Sequence, residues 1–572
     1  MSTTTTEELT RVNQFDPVLY ARASARLPMA LDIVGFKALR PGQDTMISSV
    51  LGGLDTLGIL PTGCGKSACF IIPTIACEWK TLVISPLISL QRDQVQSLQR
   101  KGIRAGMVNS SNTAIGQQYI NDWIRGDLDL LYCAPERLKR DDFREIMRQR
   151  KPDMVVTDEA HTASQWADGF RASYYLIGKF INEFQPKVAL ALTATCPPDI
   201  EKDVRRILCM PRAVKVCYFY RRTNLKLRSA DFNCVADIGE IINASPGPAI
   251  VYCSTVKAAN ELQNVLSNYV HGEVGIYHGD LPDHTRSTQQ DAFMDDEVKC
   301  VVATNAFGMG VDKANIGAVI HRNIPGTLDA LTQELGRGGR NGCECQCVTF
   351  LDAQSINTQR FFIEGDNPSE KIIRRVFAVL DKHANSAGLL RMTLADILDR
   401  AFPDKREKRN GNLSAVMQVL EGAGLIARVK SHELIATVRF TDGMDSSDPK
   451  YEMLRDTIKS LPRVERQANG AYQFDLKDLV DATDRVESTI RTWLRSLSSA
   501  GLIQYVPPFV GSSTQILSRD ISAIDFDRLR IKAERAETKL KQVITYCGLR
   551  DEQKHDYLEK YFRVQHQIDD QT

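Results

Sequence analysis

Seven consecutive residues, Pro61-Thr62-Gly63-Cys64-Gly65-Lys66-Ser67, have the types and spacing to handle phosphate. They follow the apolar run Leu57 to Leu60 and precede an apolar Ala68 to Ile72, so a strand, a glycine-rich turn and a helix are expected in that order. The glycines let backbone N–H groups curl around a polyphosphate. Lys66 supplies a point charge for the β- and γ-phosphates, and the Ser67 hydroxyl can hold Mg²⁺. Leu60 stands where the strict phosphate-loop pattern has its first glycine. A second stretch completes the chemistry: Met154 to Thr157 reads as a buried strand ending in Asp158-Glu159-Ala160-His161. A carboxylate at such a strand end can hold Mg²⁺ through its water shell, and the adjacent Glu159 can take the proton of an attacking water. The two stretches together describe an ATPase site using ATP and Mg²⁺.

Two further groups could act on a ligand. Trp166 and Phe170 lie four apart, with Arg171 adjacent and polar Ser164, Gln165, Asp168 and Gly169 among them. They offer stacking surface for unpaired bases and a charge for the phosphate, although the same spacing also serves core packing. Arg337 and Arg340 lie three apart, so on a helix they project from one face, with Gln333 one turn earlier. The plainer reading of that trio is a charged helix face.

The elements that must position these residues form a repeating pattern. From about residue 31 to 215, short apolar runs (Thr81 to Ile84, Leu128 to Cys133, Met154 to Thr157, Val188 to Leu192) alternate with amphipathic stretches, the pattern of βαβ units and a parallel sheet. A second set, residues 216–365, begins its strands after Pro246-Gly247-Pro248: Ala249 to Cys253, Val274 to Tyr277, Cys300 to Ala303, Ala318 to His321 and Cys347 to Leu351. The fold class is therefore α/β, with two tandem parallel-sheet domains preceded by a tail and helix over 1–30. Beyond about 365 the chain becomes mostly helical. Val416 to Val429 and Trp493 to Val506 share a helix ending in Gly-Leu-Ile that runs into a strand, as the third helix and wing of a winged-helix unit do. Winged-helix-like units are expected at 366–440 and 451–523, followed by a charged, solvated helical tail at 524–572.

Composition narrows the class. Hydrophobic and charged fractions of 43% and 25% are those of globular protein. A net charge of +1 gives no long-range pull on nucleic acid, so local basic faces must meet any such partner. Fourteen cysteines, scattered singly and often within apolar runs, suggest a reducing compartment. With no window long enough to span a membrane, an intracellular, soluble protein with no membrane partner is expected.

The motif series identifies a resemblance. Pro61 to Ser67, Ser85 to Val95, Ala134 to Leu138, Asp158 to His161, Thr193-Ala-Thr195, Ala303 to Asp312 and Gln333 to Arg340 resemble the ordered motifs of superfamily 2 helicases, with two RecA-like motor domains. Leu39-Arg-Pro-Gly-Gln43 and Ser164 to Arg171 are similar to two signatures of the RecQ DNA helicases. The resemblance covers roughly residues 30 to 350. It implies that Phe36, Arg40 and Gln43 hold the adenine, that Thr62, Gly63, Cys64, Gly65, Lys66 and Ser67 cradle the phosphates, and that Asp312 lies near the ribose. It further implies that His161 links the γ-phosphate side to Thr193 to Thr195, that Gln333 contacts the γ-phosphate or attacking water, and that Arg337 and Arg340 act as fingers. In the family, the loop carrying Trp166, Phe170 and Arg171 senses single-stranded DNA.

The implied activity is ATP-dependent translocation on single-stranded DNA and separation of forked DNA, 3′ to 5′, by a monomer. RNA unwinding and a DNA-stimulated ATPase switch that does not unwind remain the alternatives. A wing hairpin around Tyr505 to Phe509 could serve as the separating wedge. Relatives commonly carry a four-cysteine zinc site, but no paired C-x-x-C occurs here and Cys343, Cys345 and Cys347 have the period of one strand face, so zinc is not expected. Protein partners are not legible.

Overall fold

The computed structural model describes residues 13–61, 63–86, 88–109, 113–164, 172–196, 198–219, 221–308, 313–385, 388–390, 392–404, 413–431, 435–441, 448–462, 464–467, 470–506 and 511–566. The chain folds into two units, one of Met1–Arg360 with Arg535–Thr572 and the other of Phe361–Glu534.

The first unit contains two parallel sheets. In the first lobe the strands are β1 (Thr56–Ile59), β2 (Thr81–Ile84), β3 (Ala105–Val108), β4 (Leu130–Cys133), β5 (Met154–Thr157), β6 (Val188–Thr193) and β7 (Val214–Cys217). Their order across the sheet is β3-β4-β2-β5-β6-β1-β7. Six of them are buried along their whole length because helices cover both faces, and alternate residues feed two cores. Leu82, Ile84 and Val155 enter one; Val83, Met154 and Val156 enter the other. The second lobe has β8 (Leu225–Asp231), β9 (Ala249–Tyr252), β10 (Val274–Tyr277), β11 (Cys300–Ala303), β12 (Ala318–His321) and β13 (Cys345–Leu351), ordered β10-β11-β9-β12-β13-β8.

The tail differs from the solvated helix pair expected of its charge. Phe526–Cys547 and Asp551–His566 are helices, and Leu540, Val543, Tyr546, Leu558 and Phe562 are buried. The second helix packs on β8. Lys554 is fully buried, and its Nζ donates to the carbonyls of Tyr546 and Leu549, 2.9 Å each, at the C-terminal end of the first helix. A lysine there satisfies carbonyls that have no helical partner and complements the helix dipole.

The second unit corrects the expectation of two successive winged units. Its strands are β14 (Leu389–Leu390), β15 (Ile426–Ser431), β16 (Ile435–Phe440), β17 (Glu465–Arg466), β18 (Tyr472–Asp475), β19 (Ile503–Val506) and β20 (Gly511–Ile516). Gly424 and Gly501 stop their helices at φ +69° and +74°, as Gly-Leu-Ile suggests. The strands that follow do not make hairpins with their chain neighbours. Instead β15 pairs antiparallel with β20, Ile426 opposite Ile516, while β16 pairs with β19, Phe440 opposite Ile503. The helices Pro449–Ser460, Leu476–Thr483 and Glu487–Ser499 thus belong to a unit inserted between the two wing strands of the first. The sequence pattern could not show this, because two long-range ladders and two local hairpins present the same alternation. Tyr505 lies in β19, whereas Pro507, Pro508 and Phe509 fall outside the described residues.

This nesting predicts an asymmetry. A segment spanning 435–506 contains a complete sheet and its own core, so it should give a cooperative melt by circular dichroism. A segment spanning 366–440 lacks β20, the middle strand of its sheet, and should not.

Candidate functional site

Parallel strands deliver their C-terminal ends to one edge of the sheet, which is where open α/β sheets bind ligands. The adjacent strands β2, β5, β6 and β1 end in Ser85, Asp158, Thr193 and the Pro61 to Ser67 loop, respectively. Four motifs scattered over about 140 residues of sequence become neighbours through strand order alone.

The loop is braced from beneath by Gln43, which is fully buried. Its Nε2 donates to the Cys64 and Gly65 carbonyls at 2.8 and 3.0 Å, and its Oε1 accepts from the Arg40 amide at 2.8 Å. Arg40 Nη1 donates to the Gly63 carbonyl at 2.5 Å, and Lys66 Nζ to the Leu60 carbonyl at 3.3 Å. Phe36 packs on the core beneath, with Lys101 Nζ 6.0 Å from its ring centre. Ser67 stands immediately before the following helix, Ala68–Cys77, without a side-chain capping bond, and Cys64 is buried in the loop.

Asp158 is almost completely buried. Its Oδ1 accepts from the Glu159 amide at 3.0 Å, and its Oδ2 lies 3.4 Å from Ser85 Oγ. Burial, reinforced by the Glu159 carboxylate, pushes the Asp158 carboxyl up to about 7. A divalent cation would offset both effects, so the donor set fits the Mg²⁺ that accompanies ATP. Glu159 adopts a left-handed backbone, φ +48°, which costs an ordinary residue about 1 kcal/mol. Its Oε2 is buried, has no hydrogen bond within the described residues and lies 3.4 Å from His161 Nδ1. That nitrogen is 2.9 Å from Thr193 Oγ1, which donates to the Thr195 carbonyl at 2.8 Å. The acidic strand end and the Thr193 to Thr195 turn are therefore joined through His161.

The second lobe faces this edge with the finger helix, Leu328–Leu335, capped by Thr327. Gln333 projects from it into a crevice shared with Pro61 and Thr195 of the first lobe. Arg337 and Arg340 do not lie on a helix face, contrary to the expectation from their spacing. The helix stops at Leu335, and the glycine-rich residues 336–342 form a turn. Arg222, in the segment joining the lobes, holds this turn. Its guanidinium donates to the carbonyls of Gly336 at 2.9 Å and of Gly338 and Gly339 at 2.6 Å each. Burial works against the charge of Arg222 and lowers its pKa; the three carbonyls compensate. Arg337 is buried beside the Tyr252 hydroxyl.

The same turn meets the phosphate loop. A β-carbon on Gly63, whose φ is +83°, would lie 2.8 Å from the Gly336 carbonyl oxygen, 3.2 Å from Arg222 Nη1 and 3.8 Å from Arg340 Nε. Behind the finger helix, buried His321 Nε2 is 2.8 Å from Glu334 Oε2. Arg222 and this pair were missed by sequence reasoning. The only signal was the basic run Arg221-Arg222 in an otherwise unremarked joint.

Thr62, Trp166, Phe170, Arg171 and Asp312 lie outside the described residues. Two of the three clustered cysteines lie on one strand. Cys345 and Cys347 share a strand face, Sγ to Sγ 4.0 Å, with Cys343 exposed before it. The hydrogen-bonded Cys345 thiol and burial raise Cys347 well above its ordinary value, and burial pushes Cys547 to about 11. Among the described residues no group of three or more His, Cys, Asp or Glu could hold a metal, and no helix is long and apolar enough to cross a membrane.

Comparison with known proteins agrees with the geometry. A DEAD/DEAH box helicase model matches residues 40–203, and a helicase conserved C-terminal domain model matches 233–342. The ATP-dependent DNA helicase RecQ of Bacillus subtilis (strain 168) is 40% identical over 344 residues, 59% of this chain and 58% of that one. The RecQ of Pasteurella multocida (strain Pm70) is 35% identical over 446 residues, 74% of this chain and 70% of that one. The chain thus spans under two thirds of the first relative's length. Mss116p bound to ssRNA and AMP-PNP shares the fold, with a TM-score of 0.50 at 18% identity over 73% of this chain and 96% of that one. A phosphate loop and an acidic strand end facing an arginine-bearing turn, in a chain whose identity to RecQ helicases extends over most of their length in the second case, lead to one assignment: this protein belongs to the RecQ family of DEAD/DEAH-box helicases.

Proposed function

We propose that the chain hydrolyses ATP in the cleft between its two lobes and uses the cycle to move along single-stranded DNA and open forked duplex, 3′ to 5′. The observation that carries this is the close approach of the Gly336 to Arg340 turn to Gly63, which supports a site made of two halves. In this reading the loop from Thr62 to Ser67 cradles the phosphates, while Phe36, Arg40, Gln43 and Asp312 hold the base and sugar. The Gln43 amide is already engaged by the loop, so adenine would compete with, or bind beside, that bracing. Mg²⁺, held through Ser67 and Asp158, would neutralise charge developing on the phosphates. Glu159 is placed to take a proton from the attacking water, having a buried oxygen without a hydrogen-bonded partner within the described residues.

Gln333, Arg337 and Arg340 act from the other lobe. An arginine presented there stabilises transition-state charge, an effect worth about 10³ to 10⁵ in rate in well-studied NTPases. His161, bonded to Thr193, relays the state of the phosphate side to the Thr193 to Thr195 turn. Trp166, Phe170 and Arg171 stack on and hold the strand, and alternate closing and opening of the lobes advances it. The relatives' names support DNA over RNA. In the inserted winged unit, Lys450 and Arg485 flank Trp493 at 5.8 and 5.9 Å from its ring centre, a basic and aromatic face suited to duplex.

A fork-displacement assay with 3′- and 5′-tailed DNA tests the reading. Displacement should require ATP and a 3′ tail, cease on chelation of Mg²⁺ and vanish in Lys66→Ala. DNA-stimulated hydrolysis without displacement would leave a switch, and stimulation by RNA alone would overturn the choice of DNA. Arg222→Ala should lower the DNA-stimulated kcat by about tenfold or more, since the finger turn loses three charge-assisted hydrogen bonds. Steady-state ATPase kinetics measures it.

A further inference from the structure

The last helix, Asp551–His566, runs back to the cleft, where nothing in the proposed reaction uses it. Its course is fixed by polar contacts along the joint between the lobes: Asp556 pairs with Arg221 at 2.7 Å, and His555 Nε2 lies 3.0 Å from the Leu225 carbonyl. One turn further, two aromatic residues part to different neighbours. Tyr561 donates its hydroxyl to Asp329 Oδ2 at 2.8 Å. Asp329 sits in the first turn of the finger helix, four residues before Gln333 and so on the same helical face. Phe562 is 4% exposed and stacks on Phe219 of the interlobe joint, ring centres 5.1 Å apart and planes 19° from parallel.

Phe562 also lines the crevice that holds Gln333, together with Pro61 and Thr195 of the first lobe and Asp329 and Thr332 of the second. A ring at the meeting point of both lobes and their joint cannot be indifferent to closure. Any closure or opening of the lobes must change the shape of that crevice, and a buried apolar ring resists being left partly uncovered.

We propose that Tyr561 and Phe562 are positioning residues for ATP hydrolysis: the C-terminal helix wedges between the interlobe joint and the finger helix and holds Gln333 toward the phosphate loop. This rests on the function proposed above. Tyr561 fixes the start of the finger helix through Asp329, and Phe562 sets how far Gln333 can retreat. Neither touches the nucleotide; both act through Gln333.

The test uses the full chain and compares DNA-stimulated ATPase kinetics with equilibrium binding of a fluorescent ATP analogue. Phe562→Ala should lower kcat about fivefold or more while KM and the analogue Kd stay within about twofold, and Tyr561→Phe should lower kcat about threefold. Phe562→Leu, which restores apolar volume, should recover at least about half of the lost kcat. An unchanged kcat in Phe562→Ala overturns the proposal. So does a loss of kcat accompanied by equal losses of analogue affinity and thermal midpoint with no recovery in Phe562→Leu, which would mark a purely structural contact. An unmodified chain that hydrolyses no ATP overturns the function above and the positioning with it, whereas an active chain with indifferent variants overturns the positioning alone.

Discussion

Arg222 holds the two-lobed site in shape. A guanidinium buried between the lobes is stable only if carbonyl oxygens replace the water it has lost, and Gly336, Gly338 and Gly339 supply them. The same bonds hold the glycine-rich turn that follows the finger helix and lies against the phosphate loop. Only a glycine fits at position 63, because the opposing carbonyl occupies the space of a β-carbon. One charged side chain in a joint thus ties down the turn carrying Arg337 and Arg340.

On the first lobe the equivalent constraint is electrostatic. Asp158 is buried next to a second carboxylate, an arrangement that disfavours its charge until a cation arrives. Glu159 carries a left-handed backbone that aims its side chain at His161. Strain and burial of this kind are offset by the surrounding sheet, whose strands are buried on both faces.

Most of the first lobe's site was legible in the sequence, because each of its motifs follows a short, fully apolar strand and parallel topology brings strand ends together. The strands at Thr81 to Ile84, Met154 to Thr157, Val274 to Tyr277, Cys300 to Ala303 and Ala318 to His321 lie where the apolar runs ended. Strands Ala105–Val108, Val214–Cys217 and Leu225–Asp231 did not stand out, being short or partly exposed. The spacing of Arg337 and Arg340 suggested a helix face, but the helix ends at Leu335 and a glycine-rich turn follows. The charged tail looked solvated because its buried residues are few among many charges, Lys554 among them. The nested winged unit was hidden for a different reason: a register that sets Ile426 opposite Ile516 is a tertiary choice that local alternation does not record.

In the proposed reaction, arginine chemistry from the second lobe acts on a nucleotide held by the first. Measuring DNA-stimulated kcat and the Kd of a fluorescent ATP analogue side by side for Arg340→Ala tests it most directly. The expected result is a fall in kcat of about 10²-fold or more with Kd changed by less than about threefold. Hydrolysis at the unmodified rate in Arg340→Ala would contradict it.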